Sequence, residues 1–142
     1  MTNAREMMHA GAECIPEHET LDRAAQMMRD HQVGSLPICG DDDRLKGIIT
    51  DRDIVVKCIA AGRDPASITA AELAQGDVVW VTADADADEV LSTMQQHRIR
   101  RVPVIDGHLL VGMISEADLA THLPPDRVAE YCNAVYSAPA SL

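Results

Sequence analysis

The sequence predicts a mixed α/β (α+β) protein in which one β-α-β-β-α unit occurs twice, and an internal repeat is the main reason. The segment Gly47–Asp53 returns as Gly112–Asp118, and both follow the pattern Gly-x-Ile-Ser/Thr-x-x-Asp. Pro37 and Pro103, which lie 66 positions apart, precede the two segments. This period is longer than the roughly 20 to 50 residues of a solenoid repeat, so we interpret it as a duplicated small domain.

Each copy contains an amphipathic helix followed by a hairpin. Leu21, Ala24, Ala25 and Met28 recur at helical spacing, and the second copy answers with Val90, Leu91 and Met94. Two β-rich runs separated by a polar turn come next in each copy and predict antiparallel strands. These runs are Leu36–Cys39 with Leu45–Thr50, and Val102–Ile105 with Leu109–Ser115.

A short strand before each helix and a helix after each hairpin complete the unit. We expect the leading strands at Cys14–Ile15 and Val78–Val81, and the closing helices at Asp53–Ala61 and Asp118–His122. The first repeat then covers residues 2–64 and the second covers 65–122. Residues 123–142 form a C-terminal tail, in which 128–135 favour a short helix.

Composition excludes several classes of partner. The chain has 12 basic and 23 acidic residues and a formal net charge of -11, which repels nucleic acid and anionic lipid. With no Phe, one Trp and two Tyr among 142 residues, it lacks stacking platforms for single strands, and its core must be largely aliphatic. We expect neither nucleic-acid nor membrane partners. The N-terminus carries no apolar run of signal-peptide length, which favours the cytoplasm.

The duplicated strand, helix, x-Pro-Ile/Val hairpin and closing motif resemble the cystathionine-β-synthase (CBS) domain pair over roughly residues 2–122. Within that family the chain is similar to the free-standing two-CBS proteins of actinobacteria, on the strength of Cys14 and of the Gly-Asp-Asp-Asp-Arg-Leu turn that begins at Gly40. The resemblance implies repeats packed as a pseudo-two-fold pair, a homodimer, and an adenosine-containing ligand bound in the clefts between repeats.

The resemblance implies that Thr50 and Asp53 in one copy, and Ser115 and Asp118 in the other, bind the ligand. A carboxylate accepts hydrogen bonds from the two vicinal hydroxyls of a ribose. A hydroxyl at a helix entrance joins free backbone N–H groups that favour a phosphate. Arg101, within the second copy, adds positive charge and is a further candidate for binding the ligand.

The same motif has a purely structural interpretation. Ser/Thr-x-x-Asp/Glu is also a capping box, in which the two side chains satisfy backbone donors of their own helix. Gly47 and Gly112 could permit a close backbone approach, and the sequence does not say by what. Trp80, the single Trp of the chain, either packs in the aliphatic core, which is the favoured interpretation, or plugs a ligand cleft.

Cysteine and histidine give the alternatives to ligand sensing. In a CBS-like sheet Cys14 and Cys39 end neighbouring strands and could form a disulfide, although a cytoplasmic address favours two thiols. His97 and His122 each end a helix of the second copy and are candidate zinc ligands.

No catalytic triad, Cys-His pair or phosphate loop stands out, so we expect no enzyme. The chain is then an adenosine-ligand sensor with an unknown protein partner, or a ligand-free interaction protein stabilised by a disulfide or zinc.

Overall fold

The predicted β-α-β-β-α order occurs twice along the chain, and the elements Ala4–Met7, His9–Ala10 and Ala70–Leu73 are present in addition. The computed structural model describes residues 2–11, 13–74 and 78–137. The helices are α1 (Ala4–Met7), α2 (Leu21–His31), α3 (Asp51–Asp53, continued by a π-helix at Ile54–Ile59), α4 (Ala70–Leu73), α5 (Ala87–His97), α6 (Glu116–His122) and α7 (Pro125–Tyr136). The strands are β1 (His9–Ala10), β2 (Ile15–Pro16), β3 (Ser35–Cys39), β4 (Leu45–Thr50), β5 (Val81–Thr82), β6 (Arg101–Asp106) and β7 (Leu109–Ser115).

The strands form two sheets with matching topology, which confirms the mixed α+β class. One sheet has the order β2-β3-β4, in which β2 is parallel to β3 and β3 is antiparallel to β4. The other has the order β1-β7-β6-β5, in which β5 is parallel to β6 and β6 is antiparallel to β7. Strand β1 has no counterpart among the described residues of the three-stranded sheet.

The chain divides into two compact units that do not coincide with the sequence repeats. The repeat-1 unit spans Ala12–Val78, and the repeat-2 unit combines Met1–Gly11 with Val79–Leu142. Helix α1 therefore packs with the second repeat, and helix α4, which leads the second repeat in sequence, packs with the first. We call the segments 2–10 and 68–74 the exchanged leaders.

The exchanged leaders are held by equivalent backbone hydrogen bonds. Ala4 N donates to Ala85 O at 2.8 Å in the repeat-2 unit. Ala70 N donates to Glu19 O at 2.8 Å in the repeat-1 unit. Donors and acceptors both correspond at an offset of 66 positions, the offset of the sequence repeat. The duplication therefore extends to the way in which each leader is attached.

Each unit has its own core. In the repeat-1 unit α2 packs its apolar face on the sheet, with Ile15, Leu21 and Ile49 fully buried. In the repeat-2 unit α5 packs on the sheet, with Val90, Met94 and Val102 fully buried, and Tyr131 of α7 joins this otherwise aliphatic core. The Tyr131 hydroxyl donates to Ile99 O at 2.7 Å, which satisfies the polar end of the ring. Helix α7 is longer than the predicted 128–135 segment.

Trp80 does not lie in the core, so the favoured sequence interpretation is wrong. Its side chain is exposed (50%), whereas the neighbouring Val81 and Ala83 are buried. Successive side chains in extended backbone point to opposite faces, and this alternation directs Trp80 outward.

Among the described residues, no helix is long and apolar enough to cross a bilayer.

Candidate functional site

The first motif forms a complete helix cap at the start of α3. Thr50 Oγ1 accepts from Asp53 N at 3.1 Å, and Asp53 Oδ2 accepts from Thr50 N at 3.0 Å. The other carboxylate oxygen, Asp53 Oδ1, lies 3.3 Å from Nζ of Lys57, one turn later on the same helix. The Asp53 side chain is 23% exposed, so part of the carboxylate faces solvent.

The second motif repeats the cap but buries the carboxylate. Asp118 Oδ2 accepts from Ser115 N at 2.8 Å and from Ser115 Oγ at 3.1 Å. Asp118 Oδ1 lies 2.9 Å from Nδ1 of His9, which belongs to the exchanged leader of this unit. The Asp118 side chain is only 6% exposed. Each predicted carboxylate thus caps its own helix in the same way, but the other oxygen has a different partner in each motif.

Both motif glycines are approached closely by an exchanged leader. A Cβ built on Gly112 would lie 2.5 Å from Met8 Sδ and 2.7 Å from His9 O. A Cβ built on Gly47 would lie 2.8 Å from Ala74 Cβ. The close approach that these glycines permit is therefore made by the chain itself.

The basic residues near the second motif have different surroundings. Arg101 begins β6, is exposed, and stands opposite Ser115 in the strand register. Arg100 stacks on the ring of Tyr136 at 5.0 Å from its centroid. The Tyr136 hydroxyl donates to Glu116 Oε2 at 2.7 Å, and this hydrogen bond is the main cause that raises the pKa of Tyr136. Arg101 is therefore the arginine closest in register to the motif, and Arg100 helps to hold α7.

The candidate disulfide residues meet in the repeat-1 unit. Sγ of Cys14, just before β2, lies at bonding distance from Sγ of Cys39, the last residue of β3. Cys58 is a buried free thiol and Cys132 is partly buried. The sequence had suggested this pair from the expected neighbourhood of the two strands.

The candidate metal ligands lie in the repeat-2 unit with the same ring orientation. His97 Nδ1 lies 3.0 Å from Thr93 O, and His122 Nδ1 lies 2.9 Å from Asp118 O. Because a carbonyl only accepts, each Nδ1 carries the proton, and the Nε2 lone pair is left available for a metal. Within the described ranges, no group of three or more His, Cys, Asp or Glu side chains could hold a metal ion.

Sequence reasoning missed Lys57 and His9, whose side-chain nitrogens lie beside the two carboxylates. Lys57 could have been found, because residues four apart on a helix face each other. His9 carried no local signal, since it reaches Asp118 from the other end of the chain.

Comparison with protein families finds the model described as "CBS domain" at residues 4–59 and again at 70–125. Hypoxic response protein 1 of Mycobacterium tuberculosis is 54% identical over 137 residues, which are 96% of each chain. A CBS domain-containing protein of Bacillus subtilis is 31% identical and covers 86% of each chain. The resemblance inferred from the duplicated motif is confirmed.

Solved structures agree with the sequence relatives. A crystal structure of hypoxic response protein I with two coordinated zinc ions has a TM-score of 0.80 and 57% identity, and covers 87% of this chain and 100% of that one. A hexameric CBS-CP12 protein from bloom-forming cyanobacteria has a TM-score of 0.76 and 31% identity, with 86% and 71% covered.

Proposed function

Since this chain belongs to the CBS domain family, we propose that it is a free-standing, non-enzymatic regulatory protein that binds an adenosine-containing ligand at its duplicated motif. Its similarity to a hypoxic response protein supports a stress-response role, and we place that role in the cytoplasm. Ligand binding would act by favouring one of two states with different affinity for the ligand or for an unknown protein partner.

The observation that carries the proposal is the half-open carboxylate of Asp53. Its Oδ2 is committed to the Thr50 cap, whereas its Oδ1 faces only the flexible ammonium of Lys57 among its described contacts. A ribose diol could replace the ammonium at Oδ1 without breaking the cap. The ammonium of Lys57, once displaced from Asp53, could then contact a phosphate of the same ligand, because the side chain is long and flexible.

The helix-entrance phosphate site suggested by the sequence has less support than the ribose contact. The hydroxyls of Thr50 and Ser115 already accept from the backbone of Asp53 and Asp118, respectively. We therefore propose the sugar, rather than the phosphate, as the part of the ligand that the motif recognises. Arg101, exposed opposite Ser115, remains the proposed contact for negative charge.

Calorimetry against ATP, ADP, AMP, NAD and S-adenosylmethionine tests this function. Asp53→Asn keeps an oxygen acceptor for Thr50 N and removes the charge, so it should weaken binding while retaining the cap. Asp51→Ala is the matched control, because Asp51 is an exposed carboxylate in the same first turn. Absence of binding to all five compounds, or binding indifferent to Asp53→Asn, would contradict the proposal.

We further propose a homodimer. Val55, Val56 and Ile59 lie on the π-helix after Asp53, and all three side chains are exposed. Adjacent exposed apolar side chains on one helix are typical of a surface that is covered by a partner. Val56→Glu should convert a dimer to a monomer in sedimentation experiments, and Val33→Glu, at another exposed valine of the same unit, serves as the control.

A second candidate function is a ligand-free interaction protein stabilised by a disulfide or zinc. It is favoured by the pairing of Cys14 with Cys39 and by the orientation of His97 and His122, whose Nε2 atoms are not used in the hydrogen bonds of the rings. The similar hypoxic response protein I carries two coordinated zinc ions. A structural zinc ion bound by both histidines would link the C-terminal ends of α5 and α6. Because zinc in structural sites takes four ligands, a second copy of the chain could supply the other two.

Elemental analysis of protein purified without an affinity tag tests the metal. We expect stoichiometric zinc that is lost in His97→Ala and in His122→Ala and kept in the control His108→Ala, which alters an exposed histidine of the β6–β7 turn. Zinc well below one ion per two chains in the unaltered protein would exclude the zinc site and leave only the disulfide to support this candidate.

A further inference from the structure

The two motif carboxylates differ in how they are closed. Both oxygens of Asp118 have close partners, because Oδ2 accepts from Ser115 and Oδ1 lies 2.9 Å from His9 Nδ1. The ring donates from Nδ1 whether it is neutral or protonated, so this contact does not depend on its charge. A ribose diol needs a carboxylate oxygen that it can reach, and Asp118 offers it only if His9 leaves.

His9 belongs to a segment whose backbone is fixed. Strand β1 pairs with β7 at His9↔Met113 and Ala10↔Gly112. The preceding helix α1 anchors the segment through the buried side chains of Ala4 and Met7. Although 79% of the His9 side chain is exposed, its backbone is therefore held beside the carboxylate of Asp118.

Among the described residues, no side chain of the exchanged leader 68–74 is paired with Asp53 of the first motif. Its cation, Lys57, extends from the same helix as Asp53 on a flexible stem, at 3.3 Å from Oδ1. The residue that corresponds to His9 at the repeat offset of 66 is Gln75, a neutral amide that lies outside the described residues. The ionisable leader residue is thus present in one copy only.

We infer that His9 closes the second motif against the adenosine ligand and so makes the first motif the site that fills first, an inference that rests on the proposed function. The exchanged leader acts as a built-in competitor for Asp118. His9 is then a specificity-determining residue of the second motif, and its removal uncovers a site that the sequence motif already encodes.

Calorimetric stoichiometry with ATP, ADP and AMP tests the inference. The unaltered protein should bind one nucleotide per chain, and Asp53→Asn should weaken that binding. His9→Ala should add a second site, or raise the affinity of a weak second site by about tenfold, the size expected for loss of a partly exposed charge-assisted hydrogen bond. In the double variant His9→Ala/Asp118→Asn the second site should be lost again.

A control variant and a measurement of secondary structure separate closure from damage to the fold. His108→Ala removes an exposed histidine of the same unit and should bind one nucleotide, as the unaltered protein does. Circular dichroism shows whether His9→Ala has kept its helices.

The outcomes distinguish this inference from the proposed function. Two equal sites in the unaltered protein, or one unchanged site in a folded His9→Ala, overturn the inference and leave nucleotide binding intact. No binding by the unaltered protein or by any variant removes both. A second site that appears only when His9 is replaced, and that requires Asp118, supports both.

Discussion

Reduction of the Cys14–Cys39 pair should destabilise the protein by an amount that follows from the chain it closes. The two cysteines are separated by 25 positions, and loop-closure entropy for a loop of that length gives about 3.5 kcal/mol. The loop contains β2, α2 and β3, which carry much of the repeat-1 core. Loss of the cross-link therefore acts on the unit that holds the open motif.

Urea unfolding followed by circular dichroism, at one protein concentration and with or without reductant, measures this difference. We expect a lower midpoint and a steeper slope, because the unfolded chain becomes less compact, and the same changes in Cys14→Ser/Cys39→Ser without reductant. Cys132→Ser is the matched control, because Cys132 is a free, partly buried thiol. Equal midpoints in oxidised and reduced protein, with thiol counts that show the bond was formed and then broken, would refute the reasoning.

Three other perturbations have a defined sign. Gly112→Ala places a Cβ 2.7 Å from the backbone oxygen of His9, so it should lower the free energy of unfolding by about 1–3 kcal/mol in urea titrations. Thr50→Ala removes the cap acceptor of α3 and should lower the free energy of unfolding by about 0.5–2 kcal/mol, whereas an unchanged value would show that the cap is not formed. The two tyrosines of the chain both lie on α7, where burial raises the pKa of Tyr131 and the hydrogen bond to Glu116 raises that of Tyr136. A raised tyrosine pKa contributes stability below about pH 10 that is lost at higher pH. Ultraviolet titration should therefore show both rings ionising at a higher pH in the folded protein than in the unfolded protein. Coincident titration curves would contradict the docking of α7.

The elements that the sequence predicted are those whose signal is local. Helix α2 follows from apolar residues three and four apart, and the hairpins follow from β-rich runs around polar turns. Helices α1 and α4 escaped notice because four residues carry no period. Trp80 was misplaced because its size argued for the core, whereas the alternation through Val81 directs it to solvent.

In the candidate site, too, the features that could be predicted are those with a local sequence signal. The cap of Thr50 and Asp53 is encoded within four residues, so both interpretations of the motif agreed on its geometry. The exchange of leaders was invisible, since it depends on which repeat each short helix contacts. His9 therefore could not be assigned to Asp118 before the leader had been placed beside β7.

The inequality of the two motifs follows from side chains just outside them. Along the closing helices, His122 corresponds to Lys57 at the motif offset of 65. Lys57 is long enough to reach the carboxylate of Asp53, whereas the shorter ring of His122 hydrogen-bonds the backbone oxygen of Asp118 at 2.9 Å. Oδ1 of Asp118 is approached instead by Nδ1 of His9, which belongs to the exchanged leader. Replacing His122 by Lys in the His9→Ala background should therefore give Asp118 the lysine partner that Asp53 has and retain the second nucleotide site, while the same replacement with His9 present should leave the stoichiometry at one.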